Sequence, residues 1–125
     1  MIAALRADVT YPGDPGAVVH RQPRPPCIVT DPAAADLIWI PAVAAQGWLI
    51  ITRDAHITQH RAELAAVRDY GARMVTLAGA QATGTWAQLE IVMTQWRRLE
   101  SLTTEPGPFL YAVTRTGTPR KVPLG

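Results

Sequence analysis

The chain carries a single cysteine, Cys27, among its 125 residues. An internal disulfide is therefore impossible, and a zinc site built from several thiolates is excluded. A reducing, cytoplasmic location fits that usage. No apolar run approaches the roughly 18 residues that a membrane-spanning helix needs. The opening Met1-Ile2-Ala3-Ala4-Leu5-Arg6-Ala7 lacks the long apolar stretch and the cleavage site of a signal peptide. Excess charge is also small. A net charge of +2 permits an anionic partner without indicating one, because clustering matters more than the total. No internal repeat and no linker divides the sequence, so one domain spanning residues 1–125 is expected. What is plentiful is apolar surface. The 48% hydrophobic content can build a core without staples and argues against a disordered chain.

The pattern along the chain alternates strands with helices. Met1 to Ala7 reads as a helix fragment, and Asp8-Val9-Thr10-Tyr11 as a short strand closed by Pro12-Gly13-Asp14-Pro15-Gly16. Arg21 to Pro26, dense in proline and arginine, reads as an extended loop. Asp31-Pro32 opens a helix that runs to Gln46, kinked at Pro41 or regular only from Trp39, and Gly47 stops it. Trp48 to Thr52 is a buried strand. Thr58 to Tyr70 is a helix with Ile57, Leu64 and Val67 on its inner side. Ala72 to Leu77 is the next strand, followed by a loop at Ala78-Gly79-Ala80. Thr85-Trp86-Ala87-Gln88 has the spacing of a capping box. Trp86, Leu89, Met93 and Trp96 then form one helical stripe, read as core rather than as a platform for stacked bases. Phe109, Tyr111 and Val113 alternate with Leu110 and Ala112 as a strand does, and Lys121 to Leu124 pairs back as a hairpin. Such alternation calls for an α/β fold with a mainly parallel sheet.

Chemistry in such a sheet collects where strands end and helices begin. Trp48-Leu49-Ile50-Ile51 breaks there into Thr52-Arg53-Asp54. Asp36 lies upstream, near the start of a helix. Two carboxylates at one sheet edge would suit a hard divalent cation, which prefers oxygen ligands. Each acid also has a plain reading as a helix cap. Thr52 is a candidate to position a water or a carboxylate. Arg53, Arg21 and Arg24 are candidate phosphate contacts, or solvated surface residues. His56 and His60 are four apart but lack the intervening glutamate of a zinc protease, so a surface or phosphate-facing pair is expected. Asp14 reads as a turn residue that could approach Asp54 only if no strand intervenes. Cys27 reads as inert, and the remaining helical acids as solvent-facing.

Three blocks together resemble the PIN-like domains, in particular the compact bacterial branch related to toxins of toxin–antitoxin pairs. They are Asp36-Leu37-Ile38-Trp39-Ile40, then Gln46-Gly47-Trp48-Leu49-Ile50-Ile51-Thr52-Arg53-Asp54, then Glu105-Pro106-Gly107-Pro108-Phe109-Leu110-Tyr111. The resemblance implies a three-layer α/β/α fold and a magnesium- or manganese-dependent ribonuclease acting on RNA. It assigns the metal to Asp36 and Asp54, places Thr52 in the catalytic pocket, and implies an antitoxin protein as a possible partner. It also implies a departure. Such domains open with a strand ending in an aspartate, and the acid after the next strand is another; this chain matches neither. The alternatives are therefore a non-catalytic scaffold, or a form whose opening strand lies upstream of Met1. Without that strand an unpaired sheet edge is expected, and with it a homo-oligomer, because open edges invite association.

Overall fold

The computed structural model describes residues 8–31, 33, 35–53, 55–78 and 84–124. Its elements are β1 (Ala17–Val19), β2 (Gln22–Arg24), α1 (Asp36–Ala44), β3 (Leu49–Thr52), a 3-10 segment (Ala55–Gln59), α2 (Arg61–Asp69), β4 (Arg73–Leu77), α3 (Thr85–Thr94), α4 (Trp96–Leu102), β5 (Phe109–Val113) and β6 (Arg120–Lys121). The main sheet has the order β3-β4-β5-β6. Its first three strands are parallel, and β6 returns antiparallel to β5. The expected α/β class with a mixed, mainly parallel sheet and a C-terminal hairpin is thus observed.

Period-two alternation sorts the core onto the two faces of this sheet. Ile50, Met74, Leu110 and Ala112 join Ile40 of α1 and Ala66 and Val67 of α2 in one buried cluster. Val75, Leu77, Phe109 and Val113 join Ile91 and Val92 of α3 and Leu99 and Leu102 of α4 in another. β4 lies between β3 and β5, and Met74 to Leu77 are buried on both faces. No helix among the described residues is long and apolar enough to cross a membrane.

Several local expectations are corrected. Asp8 to Tyr11 forms no strand. Instead Thr10 Oγ1 donates to the Asp14 carboxylate at 2.8 Å, closing a turn. The supposed loop Arg21 to Pro26 is half of a hairpin, with Val19 opposite Gln22 and Ala17 opposite Arg24. Pro23 is tolerated there because the ribbon has only edge strands. The Asp31 carboxylate accepts the Ala33 amide at 2.8 Å, so it closes its own turn, and α1 starts later, at Asp36, with Pro41 inside it. Thr85 is the first helical residue rather than the cap, which is Gly84. The tryptophan stripe is core only in part: Trp86 is 76% and Met93 60% exposed, whereas Leu89 and Trp96 are half-buried and Trp96 packs against the second cluster. The column bends at Gln95, whose buried side chain donates to the carbonyls of Thr114 and Gly117 at 3.0 Å each. That clamp turns Ile91, Val92, Leu99 and Leu102 inward. Met1 to Ala7, Gly79 and Ala80 fall outside the described residues.

The small hairpin is held by charge as well as by packing. Arg24 Nε lies 2.7 Å from Asp14 Oδ2, off the line of a hydrogen bond, while Nη2 donates to Oδ1 at 3.2 Å. The Gly16 amide donates to Asp14 Oδ1 at 2.8 Å. Gly16 has φ +87°, and a Cβ there would meet the Arg24 carbonyl at 2.7 Å, so only glycine fits. Burial raises the Asp14 pKa, but the Gly16 amide, Arg24 and Thr10 outweigh it and hold the carboxyl below its ordinary value. A depressed carboxyl pKa stabilises the fold above the unfolded value of about 3.9, and that stability is lost as pH falls through the folded value. Denaturation midpoints measured from neutral to acid pH are therefore expected to separate the native chain from Asp14→Asn at neutral pH and to converge below about pH 4. Curves that stay parallel would contradict this role.

The tip of the same hairpin is strained. His20 (φ 49°) and Arg21 (φ 66°) both occupy the left-handed region that a two-residue turn of this kind demands. Asparagine and glycine suit those positions better. The pair His20→Asn with Arg21→Gly is expected to raise stability by about 1 kcal/mol, read from urea midpoints. A fall would show that the two side chains make contacts worth more than the strain.

Candidate active site

The amino edge of the parallel strands is fixed by one side chain. Arg73, the first residue of β4, donates through Nη1 to the carbonyls of Gly47 at 2.9 Å and Thr103 at 3.2 Å. Gly47 follows α1 and Thr103 follows α4, so both helices end at this edge. Each therefore runs back from the opposite, carboxyl edge. α1 has nine residues and β3 has four, and both spans come to roughly 13 Å. Asp36 at the start of α1 is accordingly brought level with Thr52 at the end of β3. The edge is the right one for chemistry in an open α/β sheet.

The two residues also share a face. Thr52 lies two residues after Ile50, which is in the cluster that α1 and α2 cover. In the parallel register Thr52 stands opposite Thr76, itself two residues after Met74 on that same face. Thr76 is 1% exposed and Thr52 half-buried. Asp36 is half-buried, and its Oδ1 accepts the Trp39 indole Nε1–H at 2.9 Å, one helical turn on. That bond holds the carboxylate over the first turn of α1, where the positive end of the helix dipole favours an anion. The Oδ2 atom has no hydrogen-bond partner among the described residues. The arrangement sets one oriented carboxylate and two hydroxyls at one corner of the sheet.

Not every expected residue arrives there. Asp54 lies outside the described residues. Arg53 is exposed just beyond β3. Arg21 is exposed at the hairpin tip. Arg24 is a correction: its guanidinium is 7% exposed and paired with Asp14, so it is not offered to a phosphate. Asp14 is a turn residue, as its plain reading had it, with its carboxylate engaged by Thr10, Gly16 and Arg24. His56 falls in the 3-10 segment and His60 is the extended residue before α2, so the two do not belong to one helix. Thr76 was missed by sequence reasoning. The available signal was a hydroxyl in an otherwise apolar strand, Met74-Val75-Thr76-Leu77, whose register with Thr52 only the sheet reveals.

A family profile described as "PIN like domain" matches residues 11–79, more than half of the chain and the part that contains Asp36, Thr52, Arg53 and Asp54. The chain belongs to the PIN-like domain family. No curated protein and no solved structure matches it. In this PIN-like domain the matched segment ends just after β4, so it contains α1, β3, α2 and β4, the elements that build the corner described above. Many members of the family are nucleases.

Proposed function

We propose that this PIN-like domain is a divalent-metal-dependent ribonuclease, cytoplasmic, and the toxin half of a toxin–antitoxin pair with a protein antitoxin as partner. The observation that carries this reading is the placement of Asp36 and the end of β3 on one face at one edge, inside the segment matched to the family. The two faces of buried side chains support the three-layer α/β/α arrangement of such domains.

The donor chemistry fits magnesium or manganese. Asp36 and Asp54 supply carboxylate oxygens and Thr52 a hydroxyl, all hard ligands. Asp36 and Asp54 would hold the cation, whose chemistry there would be to lower the pKa of a bound water and offset charge on the phosphate. Trp39 orients Asp36 through its indole N–H. Thr52 positions a water or a carboxylate at the strand end, over the buried Thr76. Arg53, exposed beside them, and Arg21 at the hairpin tip meet the phosphates of RNA.

Cleavage of a labelled single-stranded RNA with and without magnesium, manganese and EDTA tests the reading. Metal-dependent cleavage supports it, and weak cleavage does so too, because two acids of the family pattern are unmatched. Manganese binding without cleavage favours a non-catalytic PIN-like scaffold, and cleavage undiminished by EDTA rejects the chemistry.

A further inference from the structure

The most exposed large apolar side chain among the described residues is Trp86, in the first turn of α3. The core does not use it. Ile91 and Val92 of α3 and Leu99 and Leu102 of α4 supply the buried side of this helical column. At about 100° per residue, Trp86, Met93 and Arg97 fall together on the opposite side. Met93 and Arg97 are exposed as well. Leu99 and Leu102 keep the buried side after the bend at Gln95, so the outer stripe continues into α4.

The β5–β6 loop fixes where that stripe begins. β5 ends at Val113, on the carboxyl edge of the sheet. Just past it, the carbonyls of Thr114 and Gly117 accept from Gln95, and that of Gly117 also accepts from Arg98 Nη1 at 2.7 Å. Arg115 Nη1 lies 2.9 Å from Glu90 Oε1. α4 ends at the amino edge, where Arg73 holds the Thr103 carbonyl. α3 therefore carries Trp86 to the carboxyl edge, the one at which Asp36 and Thr52 stand. The surroundings are cationic. Residues 85–98 and 114–119 contain three arginines, Arg97, Arg98 and Arg115, against one acid, Glu90. The Arg115 side chain stays 52% exposed in its pair with Glu90, and Arg98 is met by a carbonyl rather than a carboxylate.

We propose that Trp86 and Arg115 form a subsite for single-stranded RNA outside the corner of Asp36 and Thr52, the indole stacking on a base and the guanidinium meeting a neighbouring phosphate. Bases stack on aromatic rings and phosphates seek cations, and a bare indole flanked by guanidiniums offers both. Glu90 holds Arg115 one helical turn from the indole, so ring and charge are presented together. The outward part of the tryptophan stripe is thus a platform rather than core. A paired duplex has no free base face to lay on the ring, so single strands are selected. RNA is taken from the nuclease reading, on which the subsite rests, but binding here needs no cleavage and no metal.

Fluorescence polarisation of a labelled oligouridine in EDTA tests the proposal, because binding is then read without cleavage. The native chain is expected to bind with its tryptophan emission quenched. Trp86→Ala is expected to raise the Kd at least about fivefold and to remove most of the quenching, with unchanged circular dichroism. Trp86→Phe, which keeps a ring, is expected to recover much of the binding. Arg115→Ala is expected to weaken binding and to flatten its dependence on salt. Tyr70→Ala, at an exposed aromatic just after α2, is expected to change nothing. Absence of binding overturns the proposal. So does binding indifferent to Trp86→Ala, which leaves the indole to a protein partner, or a duplex bound as tightly as the single strand. Trp86-dependent binding by a chain that cleaves nothing in manganese upholds the subsite and rejects the nuclease. Manganese-dependent cleavage with binding indifferent to Trp86→Ala does the reverse.

Discussion

Asp36→Asn and Asp54→Asn are each expected to lower metal-dependent RNA cleavage by about 100-fold or more while leaving the fold intact. Loss of a residue that only supports a metal ligand costs about 10–100-fold, so loss of a ligand costs more. Asparagine keeps the size of the side chain and removes the charge that holds the cation. In Asp36→Asn the indole of Trp39 still finds an oxygen acceptor, so the start of α1 is preserved and the effect is specific to the metal. Manganese binding, followed by water proton relaxation, is the second readout. It is expected to weaken in step with cleavage in both variants. Unchanged manganese binding in both would remove the two acids from the site whatever the activity.

Phe109→Ala is expected to cost about 3–5 kcal/mol, the usual loss for emptying a large buried aromatic site. Phe109 is 1% exposed at the start of β5, packed in the cluster with Val75, Leu99 and Leu102, and its ring lies 5.2 Å from that of Tyr111. Such a loss is a large share of the roughly 5–15 kcal/mol that stabilises a domain, and corresponds to about 10–20 °C in melting temperature. Trp86→Ala removes more atoms but is expected to change stability by no more than about 0.5 kcal/mol, because its side chain is already in water. Calorimetry of the two variants checks both values. A Trp86→Ala loss as large as that of Phe109→Ala would restore the core role that its helical spacing suggested.

Much of the fold was legible because its signals are local. Leu49 to Thr52, Arg73 to Leu77 and Phe109 to Val113 announce themselves as short apolar runs bounded by glycine or proline, and all three are strands of one sheet. Val67 was placed on the inner side of its helix by spacing alone and is fully buried. The hairpin of β1 and β2 was not legible. Its turn is His20-Arg21, which lacks the asparagine and glycine that mark such turns, and its second strand contains a proline.

By itself the sequence determined the α/β class, the order of the main strands and helices, and the three motif blocks that resemble PIN-like domains. These rest on periodicity and turn chemistry, which act over a few neighbouring residues. Only the tertiary structure decided which polar groups meet. Arg24 is close enough in sequence to serve a surface role, yet it is drawn under the hairpin by Asp14. Thr52 and Thr76 become neighbours through strand register. The bend at Gln95, set by carbonyls of a distant loop, chooses Ile91 and Val92 over Trp86 and Met93 for the core. The helix stripe alone could not make that choice, because α3 offers apolar residues in several directions, and the side that is buried depends on where the sheet and the β5–β6 loop stand.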